Sequence, residues 1–157
     1  MIIIGIDPGT AITGYGIIKS EFGRLEMIDY GCIRTETSLS TAERLKETDL
    51  QFVKLINEYQ PEKVAVEDIF FFKNAKTIIK VSQARGVILF RASKMMLPIF
   101  EHTPLQVKQA VTGYGRADKN QVQQMVKNIL KLKEIPKPDD AADALAIAIC
   151  CANTNSF

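Results

Sequence analysis

Four acidic residues stand where an acid is costly unless something holds it. Asp7 ends the apolar run Ile2-Ile3-Ile4-Gly5-Ile6, and Glu67 ends Val64-Ala65-Val66. A carboxylate closing a buried strand cannot stay ionised in an apolar core without a partner, so each must reach a pocket or the sheet edge. If the two strands are neighbours, both side chains emerge at one rim, where α/β sheets commonly bind ligands. Asp140 and Asp143 are spaced i, i+3 and share one face of a helix. Ala141, Ala142, Ala144, Ala146 and Ala148 around them are small enough to let that helix lie close against a sheet. Four carboxylates in one place repel unless cations sit between them. Phosphoryl transfer with hard divalent metals wants this arrangement, because Mg²⁺ takes oxygen ligands and two ions roughly 4 Å apart clamp the attacking and leaving oxygens. Singly, each acid has a plainer use, as a salt-bridge partner at a strand end or, for Asp139 and Asp140, as a cap at a helix N-terminus.

A phosphate partner is suggested by the charge distribution. Residues 1–70 hold seven Lys/Arg against twelve Asp/Glu, whereas residues 71–133 hold twelve basic residues against only Glu101 and Asp118. Lys76, Lys80, Arg85, Lys108, Arg116 and Lys119 belong to that segment. The basic residues are either solvated helix faces or one surface that neutralises a polyanion. Lys108 and Lys119 flank a Gly-Tyr-Gly loop, where electrostatic support of a phosphate is the alternative to ordinary exposure. Phe70-Phe71-Phe72 cannot all point inward from one short segment, so an exposed aromatic in a basic setting is available to stack on bases.

The elements that must position these residues follow from the pattern. Residues 2–7, 15–19 and 25–34 read as an antiparallel meander of strands separated by turn residues. A helix capped by Ser40 or Thr41 runs to about Tyr59 and stops before Pro61, and a fourth strand covers 63–67. Asn74 can cap a helix through Met96, on which Ile78, Val81, Ala84, Ile88 and Ala92 share one face. A strand over 99–102 precedes a helix opened by Thr103-Pro104 and running to about Thr112. Asp118 caps a helix over 119–131, and a last helix runs from Asp139 to about Asn153. The order predicts an α/β architecture: a mixed five-stranded sheet, first a meander and then β-α-β units, flanked by helices.

The chain has 157 residues, 46% hydrophobic and 24% charged, the composition of one soluble globular domain spanning 1–157. A disulfide scaffold is excluded by three cysteines without C-x-x-C spacing; Cys150 and Cys151 read as small buried hydrophobes. The longest apolar run, residues 144–152, falls short of the roughly 20 residues that span a bilayer. No membrane association and a cytoplasmic location are expected. His102 is left out of the site, since a lone histidine more often serves a local hydrogen bond.

Taken in order, Gly5-Ile6-Asp7-Pro8-Gly9-Thr10, Thr13-Gly14-Tyr15-Gly16, Gly31-Cys32-Ile33-Arg34-Thr35, Val66-Glu67-Asp68-Ile69-Phe70, Gln83-Ala84-Arg85-Gly86, Gln106-Val107-Lys108 and Asp140-Ala141-Ala142-Asp143-Ala144-Leu145-Ala146-Ile147-Ala148 together resemble the RuvC family of Holliday junction resolvases. The resemblance covers nearly the whole chain. It implies an RNase H-like fold, a homodimer, and Mg²⁺-dependent paired cuts in a four-way DNA junction during recombination and repair, leaving 5′-phosphate and 3′-hydroxyl ends. It implies Asp7, Glu67, Asp140 and Asp143 as catalytic carboxylates holding Mg²⁺, two ions per site with Mn²⁺ as a substitute. The Asp-Ala-Ala-Asp register selects Asp140 and leaves Asp139 as a cap. Phe70 matches an aromatic placed against junction bases, and Lys108 and Lys119 match basic positions near the cleaved backbone. The family further implies work with the RuvAB branch-migration complex. The 74–96 helix, through Ile78, Val81, Ala84, Gly86 and Ile88, serves either as the dimer interface or as core.

Two other classes compete. Gly5-Ile6-Asp7-Pro8-Gly9-Thr10 is also close to the phosphate-binding turn of actin-like and sugar-kinase ATPases, although such proteins need a second lobe. A junction-binding module without catalysis would need only the basic surface.

Overall fold

A computed structural model describes residues 1–9, 11–69 and 75–154, with residues 75 and 76 described as backbone only. Phe70, the Asn74 expected as a cap, and the side chain of Lys76 therefore lie outside the described residues. The elements are β1 (Ile2–Asp7), β2 (Ile12–Glu21), β3 (Arg24–Arg34), α1 (Thr41–Tyr59), β4 (Lys63–Glu67), α2 (Ala75–Lys94), β5 (Ile99–His102), α3 (Pro104–Thr112), α4 (Lys119–Ile129) and α5 (Asp139–Thr154). The strands form one sheet in the order β3-β2-β1-β4-β5. β1–β2 and β2–β3 pair antiparallel, and β1–β4 and β4–β5 pair parallel.

Both sheet faces are covered, and the period-2 pleat decides which residue goes where. Ile4, Ile6, Val64 and Val66 face α1 and α2, packing on Phe52, Ile56, Ile88 and Ala92. Ile3, Ile18 and Ala65 face the other way, onto α3, α4 and α5. Asp7 shares the phase of Ile3, and Glu67 that of Ala65. The pleat thus sends both acids to the α5 side.

Three helices begin with reciprocal capping boxes, at Ser40/Glu43, Thr103/Gln106 and Asp118/Gln121. Replacing Ser40 by Ala, which leaves the Glu43 amide without its acceptor, should lower stability by about 1 kcal/mol; urea unfolding followed by circular dichroism measures it. α1 ends at Gln60, whose left-handed backbone turns the chain before Pro61.

Some boundaries differ from the sequence pattern. β2 starts at Ile12, three residues before the expected Tyr15, because the pairing with β3 continues through Ile12↔Arg34. α4 ends at Ile129 and not at Lys131, whose φ of 53° already lies in the left-handed region. α2 ends at Lys94, short of Met96, which also has positive φ. Asp139 is the first residue of α5 and no cap: its carboxylate pairs with Lys119 at 3.3 Å, and the Ala141 amide donates to the Pro138 carbonyl. On α2, Ala84 and Ile88 lie in the core at 3% and 0% exposure, so they cannot form an interface between copies. Cys150 and Cys151 are buried, at 1% and 0% exposure. No described helix is long and apolar enough to cross a membrane.

Candidate active site

The parallel register Ile6↔Val66 carries Asp7 and Glu67 side by side out of the sheet at the same end of β1 and β4. Thr13, buried at 2% exposure, shapes the turn after Asp7. Its hydroxyl donates to the Gly9 carbonyl at 3.0 Å and accepts from the Gly9 amide at 3.3 Å. Across the antiparallel pair, Asp7 stands opposite Gly14.

Glycine at that position is what admits α5. A Cβ on Gly14 would overlap the Asp140 carbonyl, one on Gly5 the Ala144 carbonyl, and one on Gly16 the Leu145 backbone. Three glycines on β1 and β2 therefore face an alanine-rich helix that rests on the sheet backbone to backbone. Asp140 lies over Gly14, the pairing partner of Asp7, and Asp143 one turn on faces the same rim. Close approach at Gly5, Gly14 and Gly16 was missing from the sequence reading; its signal was Gly alternating through two apolar strands.

These groups lie close enough for their charges to act on one another. Burial pushes the Asp7 carboxyl up to about 8, with Glu67, Asp143 and Asp140 adding to the rise and Lys119 opposing it. Burial likewise pushes Glu67 up to about 7, helped by Asp143 and opposed by Lys108. Asp143 is raised by burial, against the pull of Lys119. Burial withdraws these like charges from water, which disfavours the ionised form, and the neighbouring acids add to that.

Lys119, at the start of α4, reaches Asp143 at 3.1 Å as well as Asp139. Lys108 of α3 and Lys119 line a cavity of about 230 Å³ together with Glu67 and Asp143. A second cavity, about 360 Å³, lies between Asp7, Glu67 and the apolar Ile78 and Val81 of α2. Arg116 and Lys80 are exposed outside these cavities. Arg85 is turned inward, onto the Glu67 carbonyl and the carboxylates of Asp68 and Glu101. His102 pairs in register with Glu67 but is buried, and burial lowers its pKa, so it stays neutral.

Among the described residues no three Asp, Glu, His or Cys side chains close around a single point, as they would about an ion. The donor set nonetheless suits a hard divalent cation. It is all carboxylate oxygen, and at Asp7 and Glu67 burial first, then the neighbouring carboxylates, raise the pKa.

The family model for crossover junction endodeoxyribonuclease RuvC matches residues 3–151. The chain belongs to the RuvC family. RuvC of Alkaliphilus metalliredigens is 55% identical over 157 residues, covering 100% of this chain and 96% of that protein. RuvC of Halothermothrix orenii is 56% identical over 154 residues, covering 98% and 93%. Among solved structures, Thermus thermophilus RuvC in complex with Holliday junction substrate superposes with a TM-score of 0.93 at 35% identity, covering 98% of this chain and 94% of that one. The yeast mitochondrial resolvase Ydc2, at a TM-score of 0.68 and 14% identity, shares the fold. RuvC membership makes this chain a nuclease with an RNase H-like fold, and nucleases of the RuvC family are metal-dependent. The actin-like or sugar-kinase alternative falls with it.

Proposed function

We propose that this chain is a RuvC-type resolvase, a nuclease domain over residues 1–157 that cuts opposed strands of four-way DNA junctions in recombination and repair. The observation that carries this reading is the convergence of Asp7 and Glu67 with α5 in a chain of the RuvC family. Asp7, Glu67, Asp140 and Asp143 would hold Mg²⁺, two ions per site, with Mn²⁺ able to replace them. When bound, divalent cations supply Lewis-acid charge to the phosphoryl oxygens and make water acidic enough to attack.

The chain's own residues do the rest. The four carboxylates orient the reacting oxygens by standing on two strand ends and one rigid helix. Lys108 and Lys119 face Glu67 and Asp143 across the 230 Å³ cavity and offset charge on the phosphate. Lys80 and Arg116 contact the DNA backbone further out, as would Lys76, and Phe70 stacks against junction bases. The cut leaves 5′-phosphate and 3′-hydroxyl ends.

Two symmetric cuts need two sites, and we take the partner to be a second copy of the chain. The exposed stripe of α2, with Ile79 at 59% and Phe90 at 65% exposure on either side of the open Gly86, supports that face in place of the buried Ala84 and Ile88. The family likeness supports cooperation with RuvAB, and the absence of a described membrane-crossing helix is consistent with a cytoplasmic location.

The test incubates the protein with a synthetic four-way junction and with a linear duplex of the same sequence, in Mg²⁺ or in EDTA. Paired nicks confined to the junction and to Mg²⁺ are expected on a denaturing gel. An intact junction across several sequences and both metals, with binding retained, would leave a non-catalytic junction-binding module.

A further inference from the structure

By composition Arg85 is one more cation of the basic segment, available to a phosphate. We propose instead that Arg85 is a positioning residue, which holds the Glu67 end of β4 from the α2 side. Val66 of β4 faces α2, whereas Glu67 faces α5. Arg85 comes from α2, on the Val66 side. Its Nε donates to the Glu67 carbonyl at 3.1 Å, and its Nη2 donates to Asp68 Oδ1 at 3.3 Å and also pairs with Glu101 of β5.

One planar fork therefore ties α2, the last residue of β4 and the adjoining strand β5 together. The same Asp68 oxygen accepts from the Ile69 amide at 2.9 Å, and the Asp68 amide donates to the His102 carbonyl at 2.8 Å. The exit from β4 is held on both sides of Glu67. Two features argue against a phosphate contact. The Arg85 side chain is only 16% exposed. Its guanidinium is already engaged by two carboxylates, so it is not free to grip a phosphate. What it fixes is the backbone that aims the Glu67 carboxylate at Asp7 and Asp143.

The inference rests on Glu67 being a metal-holding carboxylate, and the experiment separates the two. Mn²⁺ affinity is measured by calorimetry on the full chain without DNA, and junction affinity in EDTA across a salt series, for Arg85→Gln, Arg85→Lys, Glu101→Gln and Glu67→Gln. Arg85→Gln should weaken Mn²⁺ binding by about 10- to 100-fold, the range seen when groups supporting a metal ligand are removed. Its junction affinity should stay within about twofold, with an unchanged salt slope. Arg85→Lys keeps the charge but not the fork and should lie between. Glu101→Gln, which leaves Arg85 in place, should weaken Mn²⁺ binding less but in the same direction.

Unchanged Mn²⁺ affinity in Arg85→Gln overturns the proposal, as does weakened junction binding with a salt slope flatter by about one, the mark of a lost phosphate contact. Should Arg85→Gln fail to fold, unchanged Mn²⁺ affinity in Glu101→Gln overturns it equally. If Glu67→Gln loses Mn²⁺ while the Arg85 and Glu101 variants do not, only the Arg85 inference falls. If Glu67→Gln keeps it, the carboxylate reading falls as well.

Discussion

An Asp7→Asn variant is expected to bind a four-way junction like the parent and to cut it roughly 10³-fold more slowly, the scale of losing one preorganised charge at a phosphoryl centre. It should also be the more stable protein when metal is withheld. The Asp7 carboxyl rises from its ordinary 3.8 to about 8 in the folded chain, and Glu67 from 4.5 to about 7. Both groups hold protons more tightly folded than unfolded. Between about pH 4 and pH 8 the native state therefore carries the extra protons, and stability falls as pH rises through that window. Asn removes the larger of the two contributions. In EDTA at pH 8 the variant should be the more stable by several kcal/mol and melt measurably higher. At pH 4 the difference should vanish. Adding Mg²⁺ should raise the melting temperature of the parent more than that of the variant. A parent whose metal-free stability rises from pH 4 to pH 8 would show that burial does not hold Asp7 and Glu67 in the protonated form.

Gly14→Ala should damage the site without touching a carboxylate. Its methyl would overlap the Asp140 carbonyl, a backbone atom with no rotamer to give, so the first turn of α5 must lift. The cost to stability should be about 1–3 kcal/mol, typical of overpacking. The cost to cutting should be about 10²-fold, because displacing a reacting group by roughly 1 Å is enough for that. Junction binding in EDTA should be preserved. Urea unfolding and single-turnover cleavage on the same preparation measure both, and full activity with normal stability would mean that α5 does not set the carboxylate geometry.

These two variants also mark what could be read from the residues alone. Asp7 and Glu67 were legible because an acid closing an Ile- or Val-rich run violates the pattern around it. Asp140 and Asp143 were legible as an i, i+3 pair. The glycine seam beneath them was not, since a strand glycine announces close approach without naming the partner. The surroundings of Arg85 were hidden for a related reason: a charge count cannot see that Asp68 and Glu101 already hold its guanidinium. The apolar period on α2 picked out Ala84 and Ile88 correctly as one face, but a regular apolar face is the one a helix buries. The exposed Ile79 and Phe90 break that period. Helix ends at Lys94 and Ile129 were missed because Met96 and Lys131 are ordinary helix formers whose left-handed backbones are imposed by the turns that follow.

The acids proposed for the site come from the first and the last of the described elements. Asp7 ends β1, which precedes every other element described, and α5, with Asp140 and Asp143, follows them all. A nascent chain that has reached α4 has Asp7 and Glu67 but lacks the helix that contributes eleven buried residues to one face of the sheet. Such a chain has neither the acid set nor the core to be a nuclease. Incomplete translation products, and chains clipped between α4 and α5, should be silent toward DNA, so the cell is not exposed to a half-built cutter.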